Sequence, residues 1–273
     1  MLNSNFFANV RKSFGKLSTS IQIGGSLDDR RYETTSVYGE KLFLPDFNSI
    51  NNVEPTTMRN KTILTRQRLL GAFAQANFTF DEWLTLNVTA RNDWSSTLPV
   101  ENRSYFYPSV GLSWNIMDMP FLKSKPSVVD FFKLRATFAE VGNPAPPYKI
   151  RARLVPQTST GGGFLYDFFG DNPFLKPETV RSYEFGTELG FFKRRLTIEA
   201  SWFSKTLIDQ IIFQRLRYGT GFIFGLLNGG EMNTTGFEVQ LGLVPIRTKN
   251  FEWDPVEEKK KLEEKKNREQ DLK

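Results

Sequence analysis

The stretch WLTLNVTARNDWSSTLPVENRSYFYPSVGLSW runs from Trp83 to Trp114 and decides the fold. Its first third alternates strictly. Leu84, Leu86, Val88 and Ala90 fall on one side of an extended chain; Thr85, Asn87, Thr89 and Arg91 fall on the other. Period-2 alternation is the mark of a strand with one apolar and one polar face. The middle is a polar, aromatic loop. The last third alternates again, with Val110, Leu112, Trp114 and Ile116 opposite Ser109, Gly111, Ser113 and Asn115. Two apolar rows therefore flank one loop, and they must face either a second sheet or lipid.

The same pattern recurs along the chain. Before Trp83, the row Leu70, Ala72, Ala74, Ala76, Phe78 and Phe80 opposes Gly71, Gln75, Asn77 and Thr79, with Phe73 as the exception. Leu134, Ala136 and Phe138 oppose Lys133, Arg135 and Thr137. Tyr183, Phe185, Thr187, Leu189 and Phe191 oppose Ser182, Glu184, Gly186 and Glu188. Leu196, Ile198, Ala200 and Trp202 oppose Thr197, Glu199 and Ser201. Phe237, Val239, Leu241 and Leu243 oppose Glu238, Gln240 and Gly242. Weaker alternation marks Leu17–Gly24 and the surroundings of Arg31–Val37.

These runs are about 9–12 residues long, the length that crosses a bilayer at a tilt, whereas ordinary strands average about 5–6. Their connections also alternate in length. FDEW and FFKRR are short; Asp93–Ser104, Gly142–Arg181 and Arg215–Gly230 are long, with Met117–Asp130 a moderately long exception on the short side. Membrane barrels have short turns at one rim and long loops at the other. Alternation alone leaves a soluble sheet with a solvated face open. The aromatic, Gly-rich long loops suit ligand contact, while residue by residue their Gly and Pro read as turn punctuation.

Composition is compatible with a barrel. The 273 residues are 39% hydrophobic and 14% aromatic, with 26 Phe. Mean hydropathy is slightly negative, as expected where only alternate residues meet lipid. The absence of Cys and His excludes disulfides, thiolate nucleophiles, imidazole bases and Cys/His metal sites. No catalytic residue, cofactor or metal site is expected. Glu184 and Glu188, at i and i+4 on a strand, sit about 13 Å apart, too far for either glycosidase geometry. The net charge of +6 is scattered between strands, so no nucleic-acid partner is expected. MLNSNFFANVRKSFGKL at the start does not read as a signal peptide, although an outer-membrane protein requires one.

Residues 254–273 differ in kind. They hold seven acidic and seven basic residues without alternation. Glu257 and Lys261 are spaced i, i+4, and Glu258 and Lys261 i, i+3, as on an exposed helix. Two parts are therefore expected: a barrel part over 1–253 and a charged helical or disordered tail over 254–273.

Several blocks resemble the β-barrel of TonB-dependent outer-membrane transporters of the SusC/RagA type. They are Leu86–Trp114, FFKLRATFAEVGNPAPPY (Phe131–Tyr148), NPFLKPETVRSYEFGTELGFFKRRLTIEASWFSKTLIDQII (Asn172–Ile212) and LNGGEMNTTGFEVQLGLVPI (Leu227–Ile246). The resemblance is loose over Leu17–Arg68 and close over Leu69–Ile246. It implies an all-β, antiparallel transmembrane barrel segment, about 8–10 strands of a larger barrel of about 22, with no recognisable plug domain and two open edges. Leu84, Leu86, Val88, Val110, Leu112 and Trp114 would then face lipid, and Asn87, Thr89, Arg91, Ser109 and Ser113 the lumen. Arg91–Ser104 would be an outward loop, with Trp94, Tyr105, Phe106 and Tyr107 near the outer interface. By the same resemblance the complete protein imports glycans or peptides, draws energy through TonB and works with a SusD-like surface lipoprotein in outer-membrane lipid. A piece without plug and TonB-contact segment would not transport alone. A small closed porin-like barrel and a soluble all-β carbohydrate-binding module are the alternatives.

Overall fold

The computed structural model describes residues 1–122, 128–157, 163–247 and 252–253. Its strands are β1 (Leu2–Phe14), β2 (Leu17–Tyr38), β3 (Arg59–Phe80), β4 (Leu84–Ser95), β5 (Ser104–Asn115), β6 (Val129–Asn143), β7 (Leu154–Gln157), β8 (Gly163–Tyr166), β9 (Phe169–Gly170), β10 (Glu178–Phe191), β11 (Leu196–Arg215), β12 (Phe224–Leu243), β13 (Ile246–Arg247) and β14 (Glu252–Trp253). Ten form one sheet in the order β1-β2-β3-β4-β5-β6-β10-β11-β12-β9. All neighbours are antiparallel except the two-residue β9 against β12. β7 pairs with β8, and β13 with β14, outside this sheet. The sheet does not close: β1 and β12 are not paired with each other.

Residues paired across a ladder share a face, so the register carries one apolar row through nine strands. Val10 pairs with Ile21, Ile21 with Ala76, Ala76 with Val88 and Val88 with Val110. Val110 pairs with Phe138 and Phe138 with Tyr183. Phe185, Trp202 and Phe237 extend the same face to β12. Phe6, Phe14, Ile23, Phe80, Phe106, Leu112, Leu241 and Leu243 lie on it and are exposed. No soluble sheet leaves so large a connected apolar surface bare.

The connections alternate as expected. Gly15-Lys16, Asp81–Trp83 and Phe192–Arg195 turn the chain at one end. At the other end the connections are 39–58, 96–103, 144–177 and 216–223. The strands are longer than the alternation indicates. Leu17–Gly24 and Arg31–Val37 belong to one strand of 22 residues, and the N-terminal stretch is β1, 13 residues paired along its whole length with β2. β11 reaches Arg215 and β12 begins at Phe224, so the connection expected over Arg215–Gly230 shortens to 216–223. The tail 254–273 lies outside the described residues.

The apolar face ends in charge. Past Leu27 and Leu70, Asp29 receives Arg66 Nη2 at 2.6 Å and Arg68 Nε at 2.9 Å. Past Tyr183, Arg181 meets Glu140 at 2.6 Å. On β4 the uncharged row of this face runs from Leu84 to Trp94, roughly 30 Å of strand and about 25 Å of height at a 40° tilt.

Among the described residues, the cluster of buried apolar side chains lies at the loop end. Leu98, Ala145, Leu175 and Leu226 form a small core, with Tyr105, Ile150, Phe169 and Ile211 against it. This core holds the loops to the sheet.

Candidate ligand cavity on the polar face

The opposite face is a ladder of hydrogen-bonding groups. The Asn87 amide donates to the Asn77 side chain, Thr89 Oγ1 donates to Asn87 Oδ1 at 3.4 Å, and the hydroxyls of Thr79 and Thr85 meet at 3.2 Å. Ser109 and Ser113 share this face through their pairing with Thr89 and Thr85. Asn87, Thr89, Arg91, Ser109 and Ser113 thus lie together on one side. Leu84, Leu86, Val88, Val110, Leu112 and Trp114 lie together on the other.

Arg91 anchors the first charged cluster. Its Nε donates to Tyr107 Oη at 2.8 Å and lies 2.8 Å from Asp93 Oδ1, and its Nη2 donates to Ser26 Oγ at 2.9 Å. Tyr107 in turn donates to Asp93. Gly71 makes room: a Cβ there would collide with Arg91 Nη2, Asp93 Oδ1 and Ser26 Oγ.

Arg135 anchors the second. It crosses the backbone at Gly186 to reach Glu188 at 2.9 Å and Glu199 at 2.8 Å, and it lies 3.4 Å from Glu184. Lys133 adds a contact of 3.2 Å to Glu188. The strand spacing overstates the separation of Glu184 and Glu188, because both side chains lean onto one guanidinium. One permanent guanidinium charge thus sits between the two carboxylates. That arrangement is unlike a proton-shuttling pair.

Towards the loops the polar face opens into a cavity of about 440 Å³. Strands supply Asp28, Arg30, Asp93, Tyr105 and Glu178, the connection after β6 supplies Pro144–Pro146, and Ile211, Phe213 and Leu226 close one side. Its roof is pinned by side-chain amides. Asn172 Nδ2 donates to Leu226 O at 2.9 Å, and Asn102 Nδ2 to Leu175 O at 3.1 Å. Asn228 accepts from Lys176 N at 2.9 Å, and its Nδ2 donates to Lys176 O at 2.9 Å and Asp209 O at 2.8 Å. Leu175 between them is fully buried. The block NPFLKPE is therefore a clasp that holds the connection after β6 against the one after β4 and against strands β11 and β12. Beyond it, Lys149, Arg151 and Arg153 surround Asp167; Arg153, 3.1 Å away, holds the Asp167 carboxyl below the usual carboxylate range.

Alternation also divides the aromatics. Trp94 and Phe106 lie on the apolar face at its upper boundary. Tyr105 and Tyr107, expected beside them at the interface, turn instead to the polar face, because odd and even positions of a strand point oppositely. The clustering of Asp28, Tyr105 and Glu178 was not legible in the sequence: they come from three strands and meet only through register.

A sheet of long antiparallel strands, with a continuous apolar band on one face and hydrogen-bonding and charged groups on the other, is the wall of a membrane β-barrel. The chain matches the family described as TonB dependent receptor-like, beta-barrel, over residues 2–262, and it belongs to that family. Among curated relatives, TonB-dependent receptor P26 of Formosa agariphila is 29% identical over 216 residues, 76% of this chain and 21% of the relative. TonB-dependent receptor SusC of Bacteroides thetaiotaomicron is 26% identical over 270 residues, 93% of this chain and 26% of the relative. The chain thus spans about a quarter of the curated relatives it matches. Among solved structures, the RagAB peptide importer in its closed-closed state aligns with a TM-score of 0.76 at 22% identity, covering 90% of this chain and 28% of that one. The ferric enterobactin receptor PfeA of Pseudomonas aeruginosa aligns at 0.58 and 16%, covering 90% and 34%. Those likenesses establish the fold, and they include similarity to SusC and to RagAB. Family members are outer-membrane transporters or receptors rather than enzymes.

Proposed function

We propose that this chain forms part of the wall of an outer-membrane importer of glycans or peptides, its apolar face in lipid and its polar face lining the lumen. The carrying observation is the apolar band, continuous through nine strands and bounded by ion pairs. In lipid, backbone groups on the free edges of β1 and β12 need partner strands; the open sheet speaks for a larger barrel over a small closed one. TonB as energy source and a SusD-like lipoprotein at the loop end are the partners this reading assigns to the complete protein. Passage is by binding and release, with no covalent step.

The chain has no native Cys, so single-cysteine labelling tests the facing directly. A nitroxide at Leu112→Cys should be relaxed by oxygen, which concentrates in lipid. One at Ser113→Cys should be relaxed by a water-soluble nickel chelate. The reverse pattern would place the lumen on the other side. Uptake of labelled oligosaccharides and oligopeptides by cells with and without the intact gene tests the transport itself.

A further inference from the structure

The cavity under the loops is unbalanced in charge. Asp28 is paired with Arg30 at 2.6 Å, and Asp93 with Arg91 at 2.8 Å. Glu178 has no such partner. Its Oε1 accepts from Ile211 N at 2.8 Å and its Oε2 from Asn143 Nδ2 at 2.9 Å, and it forms no ion pair among the described residues. Three further polar atoms of the lining are buried without a hydrogen-bond partner; Asp93 Oδ1 still faces Arg91 Nε at 2.8 Å, which leaves the Tyr105 hydroxyl and Asp28 Oδ1. A half-buried carboxylate without a counter-charge and two unsatisfied oxygens are costly unless something completes them. The apolar side walls, Ile211, Phe213 and Leu226, suit the stem of an organic group. A metal ion does not fit, since no group of three or more His, Cys, Asp or Glu among the described residues could hold one.

We propose that this cavity is a subsite for an organic cation, an ammonium or guanidinium group on the imported molecule. Glu178 supplies the counter-charge, and Tyr105 Oη and Asp28 Oδ1 accept its hydrogen bonds. The assignment rests on the importer reading and narrows it: the cargo carries a basic group, on a peptide side chain or on an amino sugar.

Titration calorimetry on the intact protein in detergent at low salt tests it, with trilysine, fully deacetylated chitotriose and triglutamate as probes. At least one of the two cationic probes should bind, and triglutamate should not. Glu178→Gln keeps an acceptor for Ile211 N–H and should weaken cationic binding at least tenfold. Tyr105→Phe removes only the unpartnered hydroxyl and should weaken it about threefold, while Glu184→Gln, on the Arg135 cluster, should leave it unchanged. Whichever cationic probe binds more tightly identifies the source. Failure of both to bind, equal binding of triglutamate, or an unchanged affinity in Glu178→Gln would each overturn the subsite. Each could occur while uptake persists, so the subsite and the importer reading fail separately.

Discussion

Arg135 shows at the residue scale what a charged position on the polar face costs and contributes. One guanidinium is shared by carboxylates from β10 and β11, with Lys133 as the second cation. The pairs are partly exposed, so no single contact is worth much. Removal of their common partner is different, because it leaves three carboxylates beside one another. Arg135→Met is expected to destabilise the folded protein by about 1–3 kcal/mol, read as a lower urea midpoint in detergent. Adding Glu188→Gln should restore part of the loss, and a strictly additive double variant would show that the cluster is not coupled. Lysine is no substitute, since a point charge cannot fork to several carboxylates.

At the element scale, turns and clasps decide which ends of the strands are held. Phe192, Lys193 and Arg194 all adopt left-handed backbone, with φ of 55°, 59° and 57°. A non-glycine residue there carries a cost of about 1–2 kcal/mol. Lys193→Gly removes it, less the extra freedom glycine gains in the unfolded chain, so a net gain of about 0.5–1 kcal/mol is expected in the same urea titration. The clasp at the opposite end works through Asn228, whose amide satisfies both polar groups of Lys176 and the carbonyl of Asp209. Asn228→Ala leaves three backbone groups without partners, at about 1–3 kcal/mol for each that stays dry. The segment around buried Leu175 should then open, and chymotrypsin should cut after Phe174 at least tenfold faster; an unchanged cleavage rate would mean the loop is held by its apolar contacts alone.

The same elements show what the sequence could reveal. β4, β5, β10 and β12 were legible because their lipid-length stretches alternate cleanly. β1 was not: Phe6, Val10 and Phe14 share the apolar face, but Phe7 sits on the polar one, blurring the period. The first half of β3, Arg59–Leu69, was missed for a different reason. Above the apolar band both faces meet water, so no alternation is required, and Arg66 and Arg68 stand where lipid would demand leucine. Which named residues of β4 and β5 share a side of the sheet was legible, since it depends only on period. The cavity was not, since Asp28, Tyr105 and Glu178 converge through the pairing of β2, β3, β4, β5, β6 and β10, which no local pattern encodes. NPFLKPE was visible as a motif; its role as a clasp depends on Asn102 and Asn228, which lie 72 and 52 residues away in sequence.

At the scale of the whole molecule, the two faces of the sheet cannot both meet lipid. A soluble sheet would bury Leu86 and Leu112 against a second layer, and the described residues supply none. In a barrel wall the two faces respond oppositely to the same charge. Leu86→Arg places a guanidinium in the apolar band and should cost about 2–4 kcal/mol near the bilayer midplane. Asn87→Arg, one residue along, enters an aqueous ladder and should cost little. The pair differs by a single position, so chain length, expression and local propensity are held nearly constant. Assembly in the outer membrane, read as the heat-modifiable folded band on a gel, should collapse for the first variant and persist for the second. Similar folded fractions for both would mean that Leu86 does not meet hydrocarbon, and the lipid-facing assignment of β3, β4 and β5 would fall together, because one register fixes all three.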